Sequence, residues 1–319
     1  MRAFSTRCLA LAAATTAIAL SSTVAFAAEP DSCRTVRFSD VGWTDITATT
    51  ATASVILKEL GYTPDVKLLS VPVTYTSLSN NDIDVFLGNW MPTMEADIAP
   101  FRENGTVETV RENLTGAKYT LATNAKGAEL GIKSFKDIAA HSDALEGKIY
   151  GIEPGNDGNR VVLDMLAAGS FELKDFQLVE SSEQGMLSQV DRAEKSGKPI
   201  VFLGWEPHPM NANFKLTYLA DGDDVFGPNF GGATILTNTR KGYTSECANV
   251  GSFLKNLEFS LQLENEIMGK ILNDGMEGEA AATAWLKTNP QVLDSWLAGV
   301  KTFDRSSDAL PTVRKALGL

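Results

Sequence analysis

The chain has 319 residues, enough of them apolar (44%) for buried cores, and carries 40 acidic against 28 basic side chains, for a net charge of −12. So acidic a chain excludes nucleic acid as a partner, because that binding rests on basic surface that displaces counterions. Two histidines and three cysteines without ligand spacing give no metal centre, and no cofactor is called for.

The N-terminus reads as an export signal. Arg2 and Arg7 form a basic start, Leu9–Leu20 is an apolar run too short to cross a bilayer, and Ala25–Ala27 offers the small residues of a cleavage site. Residues 1–27 are expected to leave as a signal peptide, Cys8 with them. That makes the remaining chain more acidic still and leaves roughly 290 residues, room for two domains. No later stretch is apolar enough to be a transmembrane helix. Cys33 and Cys247 remain, and an even pair in an oxidising compartment reads as a disulfide joining the N-terminal arm to a C-terminal segment.

Extended apolar runs then alternate with helical patterns. Thr35–Val41 reads as a strand, followed by a helix from Thr44 to Leu60 that stops at Gly61. Asp65–Val71 is the next strand, then comes a short helical stretch, then "DVFLGNW" (Asp84–Trp90). This β-α-β-α-β order means a parallel sheet covered by helices. After Tyr119 the pattern restarts with "YTLATN", a helix near Phe135–Ala140, "GKIYGI", a Gly-rich loop, a helix at Arg160–Ala168, "FQLVES", another helix and "PIVFLGW". Gly231–Arg240 is one more strand, and helices follow at Ala248–Leu257, Glu264–Asn273, Gly278–Lys287 and Pro290–Leu297. Too few strands remain after Gly231 for a third domain, so the tail is expected to return to the first. The expected architecture is α/β, with two lobes that are each a mainly parallel sheet flanked by helices. Lobe 1 comprises residues 28–117 and 233–319, and lobe 2 is the insert 118–232.

Open α/β sheets bind ligands beyond the carboxyl ends of their strands. Trp43, Trp90, Asn156 and Trp205 all fall just after a strand in this reading, and Tyr119 falls at the lobe crossing. The stretches "DVFLGNWMPTM" and "IVFLGWEPHPM" deliver a tryptophan to a strand end twice in the same local setting. Packing alone would explain any one of these rings. Trp285 and Trp296, in the helical tail, are read as packing. Three indoles at three strand ends suit a cation that makes no hydrogen bonds. Each cation–π contact contributes about 0.5–1 kcal/mol when exposed and about 2 when desolvated, so three or four rings approach the ~8 kcal/mol of micromolar affinity.

A sugar also stacks on tryptophan, and Asp45, Asn89, Asn156, Asp157 and Glu206 leave that alternative open. Asp45, two residues after Trp43, is either a first-turn carboxylate favoured by the helix dipole or an anion beside the cation. In the second role it repels a zwitterion's carboxylate and accepts a bond from an alcohol, so choline fits better than glycine betaine. The loop "GIEPGNDGNR" opens a helix, and there Asn156 or Asp157 either reaches the polar end of a ligand or simply makes a turn. Catalysis lacks a motif, with no GxSxG and no HExxH present, and His208 between two prolines reads as a loop residue rather than the base of a choline-ester hydrolase.

"VGWTDIT", "DVFLGNWMPTM", "GIEPGNDGN", "VFLGWEPHPMN" and "WLKTNPQVLDSWL" resemble the substrate-binding proteins of ABC importers for glycine betaine, proline betaine and choline, over essentially the whole mature chain. The resemblance implies a type II periplasmic binding-protein fold whose lobes close on the ligand. It implies an aromatic box that falls on Trp43, Trp90, Tyr119 and Trp205, with Asp45 and Asn156 meeting the polar end of choline. It further implies a monomeric, non-enzymatic protein of the periplasm that serves a membrane permease and its ATPase.

Overall fold

The computed structural model describes residues 29–319; the expected signal peptide lies outside the described residues. Nine strands form one sheet: β1 (Thr35–Asp40), β2 (Thr63–Leu68), β3 (Val85–Met91), β4 (Val107–Thr123), β5 (Lys148–Tyr150), β6 (Gln177–Val179), β7 (Val201–Glu206), β8 (Thr217–Tyr218) and β9 (Gly232–Arg240). The strand order is β2-β1-β3-β9-β4-β7-β5-β6, with β8 pairing on β4. Two parallel groups, β2-β1-β3 and β7-β5-β6, thus stand at opposite ends and are flanked by helices. Between them run β9 and β4, antiparallel to each other and to their neighbours.

Where the sequence reading expects a separate sheet in each lobe, one continuous sheet joins the two. The 17-residue β4 carries it. Its first part pairs with β9 as far as Lys118↔Gly232, and from Lys118↔Glu206 onward it pairs with β7. Residues 107–118 are mostly polar and half-exposed, so they lack the apolar run that marks a strand in sequence.

The two tryptophan motifs become the central strands β3 and β7. Both are buried along nearly their whole length, because helices or loops cover both faces and the usual alternation is lost. The glycine in each has a steric cause. A Cβ on Gly88 would stand 2.5 Å from Ile46 Cδ1, and one on Gly204 would stand 2.9 Å from the Ala122 Cβ. The first motif has one residue more than the second, Asn89, and β3 absorbs it. Phe86 faces Asn238 while Asn89 faces Leu236, a one-residue bulge just before Trp90. In both motifs the X-Pro bond after the tryptophan, Met91–Pro92 and Glu206–Pro207, is cis.

The Thr44–Glu59 helix is buried almost throughout and packs against the tail helices Leu261–Leu272 and Gly278–Thr288. A last helix, Ala309–Leu317, which the sequence reading lacks, joins the same cluster. Cys33 and Cys247 are bonded and fully buried, closing a separation of 214 residues. A loop of that length restricts the unfolded chain strongly, and the bond is expected to contribute about 5 kcal/mol. Urea unfolding with and without reductant checks this: the midpoint should drop on reduction, and an unchanged midpoint would show that the buried cysteines do not constrain the unfolded state.

Candidate ligand site

The side chains that line one cavity come from the ends of parallel strands in both groups. Trp43 and Asp45 follow β1, Trp90 and Trp205 lie within the last residues of β3 and β7, and Ile152 follows β5. Tyr119 completes the lining from β4, directly opposite Trp205 in the ladder. Of the sequence-expected site residues, Trp43, Asp45, Trp90, Tyr119 and Trp205 therefore meet. All five are at least 95% buried.

The rings stand as walls rather than as a stack. Trp90 and Tyr119 are 5.9 Å apart between centroids at 64°, and Tyr119 and Trp205 are 6.1 Å apart at 88°. Tyr119 is backed by Phe226, and Trp205 by His208, each edge-on. Such mutually perpendicular faces present several π surfaces to one central point, the arrangement a compact cation exploits.

Among the described residues, Asp45 is the only acidic or basic side chain that lines the cavity. It sits in the first turn of the Thr44–Glu59 helix, where the dipole favours a carboxylate, but it is not the cap: that position is Trp43. Its Oδ2 accepts the indole N–H of Trp90 at 3.1 Å, whereas its buried Oδ1 has no partner. Burial, and then the nearby charge of Glu183, push its carboxyl up to about 8 despite the bonds it accepts.

Asn156 does not line the cavity. It caps the Asp157–Ala167 helix by accepting from Asn159 N–H, and the same oxygen accepts the Tyr119 hydroxyl at 2.9 Å. Its Nδ2 donates to Asp157 at 3.2 Å. Asn156 thus stands one bond behind the ring wall and fixes Tyr119.

Two further carboxylates at the site are missing from the sequence reading. Glu153, raised to about 7 chiefly by burial, accepts the Trp43 indole N–H at 2.8 Å. Glu183 accepts the Thr44 N–H and hydroxyl. Both reach across from the β5-β6-β7 end to the β1 end, and nothing in their local sequence marks such a long-range role. His208 has both ring nitrogens engaged, Nδ1 accepting from Met210 N–H at 2.9 Å and Nε2 facing Glu183 at 3.2 Å, so it offers no free base. Trp285 and Trp296 spend their N–H groups on Glu266 and the Glu258 carbonyl among the tail helices, as packing residues do.

Comparison with known proteins gives consistent matches. The family described as the substrate-binding domain of ABC-type glycine betaine transport systems matches residues 34–288. An ABC-transporter choline binding protein solved in complex with choline is 76% identical, with a TM-score of 0.90 over 91% of this chain and 100% of that chain. An ABC-transporter choline binding protein in an unliganded semi-closed conformation has the same identity and coverage and a TM-score of 0.84. The glycine betaine/carnitine transport binding protein GbuC of Listeria monocytogenes serotype 1/2a (strain 10403S) is 35% identical over 130 residues, 41% of this chain and 42% of that protein. The match thus spans less than half the length of that relative.

Proposed function

Because the chain belongs to the family of substrate-binding domains of ABC-type glycine betaine transport systems, a family of binding proteins and not of enzymes, we propose that it captures choline in the periplasm and delivers it, as a monomer, to a permease driven by an ATPase. The observation that carries the ligand is the cavity itself: four aromatic walls and one unpartnered carboxylate oxygen, Asp45 Oδ1, with no basic side chain among the lining residues. The trimethylammonium group would sit among Trp43, Trp90, Tyr119 and Trp205. The hydroxyl would donate to Asp45, while Asn156, behind the wall, would hold Tyr119 in place. The 76% identity to a protein solved with choline supports this reading.

The lining argues against a sugar: Asp45 is the one carboxylate or amide side chain among the lining residues, whereas a hexose needs hydrogen-bond partners for several hydroxyls. Family membership favours glycine betaine as the second reading, and against it stands the carboxylate–carboxylate repulsion that an ionised Asp45 imposes. Competition calorimetry of choline against glycine betaine decides between them: tighter binding of glycine betaine would reject the choline assignment, and binding of maltose alone would reject both.

The lobe boundaries proposed are 28–117 with 233–319 and 118–232. They are supported by the place where β4 changes partner, at Lys118 opposite Gly232. Closure about these two strands accounts for the burial of every ring in the box, and the higher TM-score to the choline complex than to the semi-closed form agrees with a closed arrangement.

A glycine behind the box gives a further expectation. A Cβ on Gly158 would lie 2.0 Å from the Tyr119 hydroxyl, so Gly158→Ala must displace that ring. Overpacking of this kind costs about 1–3 kcal/mol. Choline affinity is expected to fall roughly tenfold by calorimetry, at that cost, and an unchanged affinity would mean that Tyr119 does not need its present position.

A further inference from the structure

Glu183 is a buried carboxylate that no ligand contact explains. It is the first residue of the Glu183–Ser196 helix, which follows β6, and its side chain is fully enclosed. Its Oε2 accepts the Thr44 backbone N–H at 2.8 Å, and its Oε1 accepts the Thr44 hydroxyl at 2.5 Å. The Oε1 also faces His208 Nε2 at 3.2 Å. Since His208 Nδ1 accepts from Met210 N–H, the ring proton of the neutral imidazole is assigned to Nε2, which therefore donates to Glu183.

The donors divide unequally between the two ends of the sheet. His208 follows β7 and belongs to the same end as Glu183. Thr44 follows β1 at the other end, and it stands between Trp43 and Asp45, both of which line the cavity. It is also the first residue of its helix, and the N–H groups of a first turn have no partner within the helix. Two lobes that part must break the Thr44 bonds and keep the His208 bond. Two that meet hand the carboxylate two donors at once and fix the backbone from which Trp43 and Asp45 project. The neighbouring bridge from Trp43 Nε1 to Glu153 crosses in the same direction, but it holds a side chain; Glu183 holds the main chain.

We propose that Glu183, held ready by His208, is the closure latch of this protein: a positioning residue that grips Thr44 when the lobes meet and thereby sets how long the ligand stays. The proposal rests on the periplasmic capture reading above. A latch acts after encounter, so its loss should appear in the dissociation rate and not in association.

The experiment is stopped-flow tryptophan fluorescence on the full exported protein with choline, for Thr44→Val, Thr44→Ser, Glu183→Gln and the double variant Thr44→Val/Glu183→Gln. Thr44→Val keeps the shape and removes the hydroxyl. Its dissociation rate is expected to rise about tenfold, the size of one charge-assisted hydrogen bond, with association changed less than about threefold. Thr44→Ser should restore the native rate, and the double variant should be no faster than Glu183→Gln alone. Dissociation rates within twofold of native in both Thr44→Val and Glu183→Gln would overturn the latch, as would full additivity in the double variant or a loss confined to the melting temperature of the ligand-free protein. If the unsubstituted protein gave no signal with choline, the ligand assignment would fail rather than the latch, and the same variants read with glycine betaine would then decide it.

Discussion

Replacing Trp205 by alanine lowers choline affinity about a hundredfold, while Trp296→Phe leaves it unchanged. Trp205 is buried, lines the cavity, and faces Tyr119 both in the strand ladder and ring to ring. A desolvated cation–π contact contributes about 2 kcal/mol, and truncation also removes apolar contact and one support of the Tyr119 wall. A total of about 2–3 kcal/mol corresponds to roughly 30- to 150-fold. Trp296 is equally buried, but its indole N–H bonds to the Glu258 carbonyl in the tail cluster, so burial alone does not confer the effect. Titration calorimetry measures both variants. A loss below threefold for Trp205→Ala would mean that the indole packs the interior and does not hold the cation.

Choline affinity falls as pH is lowered through the range in which Asp45 titrates in the free protein, at or below about 8, and Asp45→Asn removes the part of that dependence that Asp45 carries. The sign follows from competition. In the closed cavity burial raises the Asp45 carboxyl to about 8, so closure by itself favours a proton on it. Choline carries a permanent charge and no acidic N–H, so its cation replaces that proton and stabilises the carboxylate. Affinity therefore rises with pH and levels off once Asp45 is already ionised in the free protein. Opening of the lobes hydrates Asp45 and moves the window lower, so the profile is read from pH 8 down to 4. Protons released on binding appear as a dependence of the binding heat on the buffer. Glu153, raised to about 7, and Asp157, raised to about 6, also titrate near the cavity, and for that reason the wild-type profile must be compared with that of Asp45→Asn.

The same substitution tests selectivity. Losing a charge-assisted hydrogen bond and the ion pair with the cation costs about 2–3 kcal/mol, near a hundredfold for choline. Glycine betaine, whose own carboxylate is repelled by Asp45, should lose less than about fivefold, a fraction of that energy. Parallel pH profiles for the two proteins, with equal losses for the two ligands, would reduce Asp45 to a partner of the Trp90 indole.

Much of this was legible in the chain because the signals were local. Strand β1 and the helix after it follow from an apolar run, a periodic segment and Gly61 at φ +88°. The repeated "FLG…W" stretches announced two strands that each deliver an indole at the end, and Trp90 and Trp205 follow from that placement. The cysteine pair needed only a count and a compartment.

What stayed hidden depends on partners distant in sequence. Only the end of β4, from Tyr119, reads as a strand, because its polar first part is a strand only by virtue of pairing with β9, more than a hundred residues later. Asn156 sits in a loop that invites a direct ligand contact, yet its oxygen is committed to the Tyr119 hydroxyl and to a helix cap. Glu153 and Glu183 carry no local mark at all, since their roles exist only where the two ends of the sheet face each other.

The sequence by itself determined which chemistry the cleft offers, since residue type and strand-end position settle that aromatic faces and one carboxylate are presented. Only the tertiary structure decided how those groups are charged and held. Burial raises Asp45, and contacts across the cleft tie Trp43 and Thr44 to carboxylates more than a hundred residues away. Desolvation and long-range hydrogen bonding are properties of the closed assembly of both lobes, and no local stretch of chain contains them.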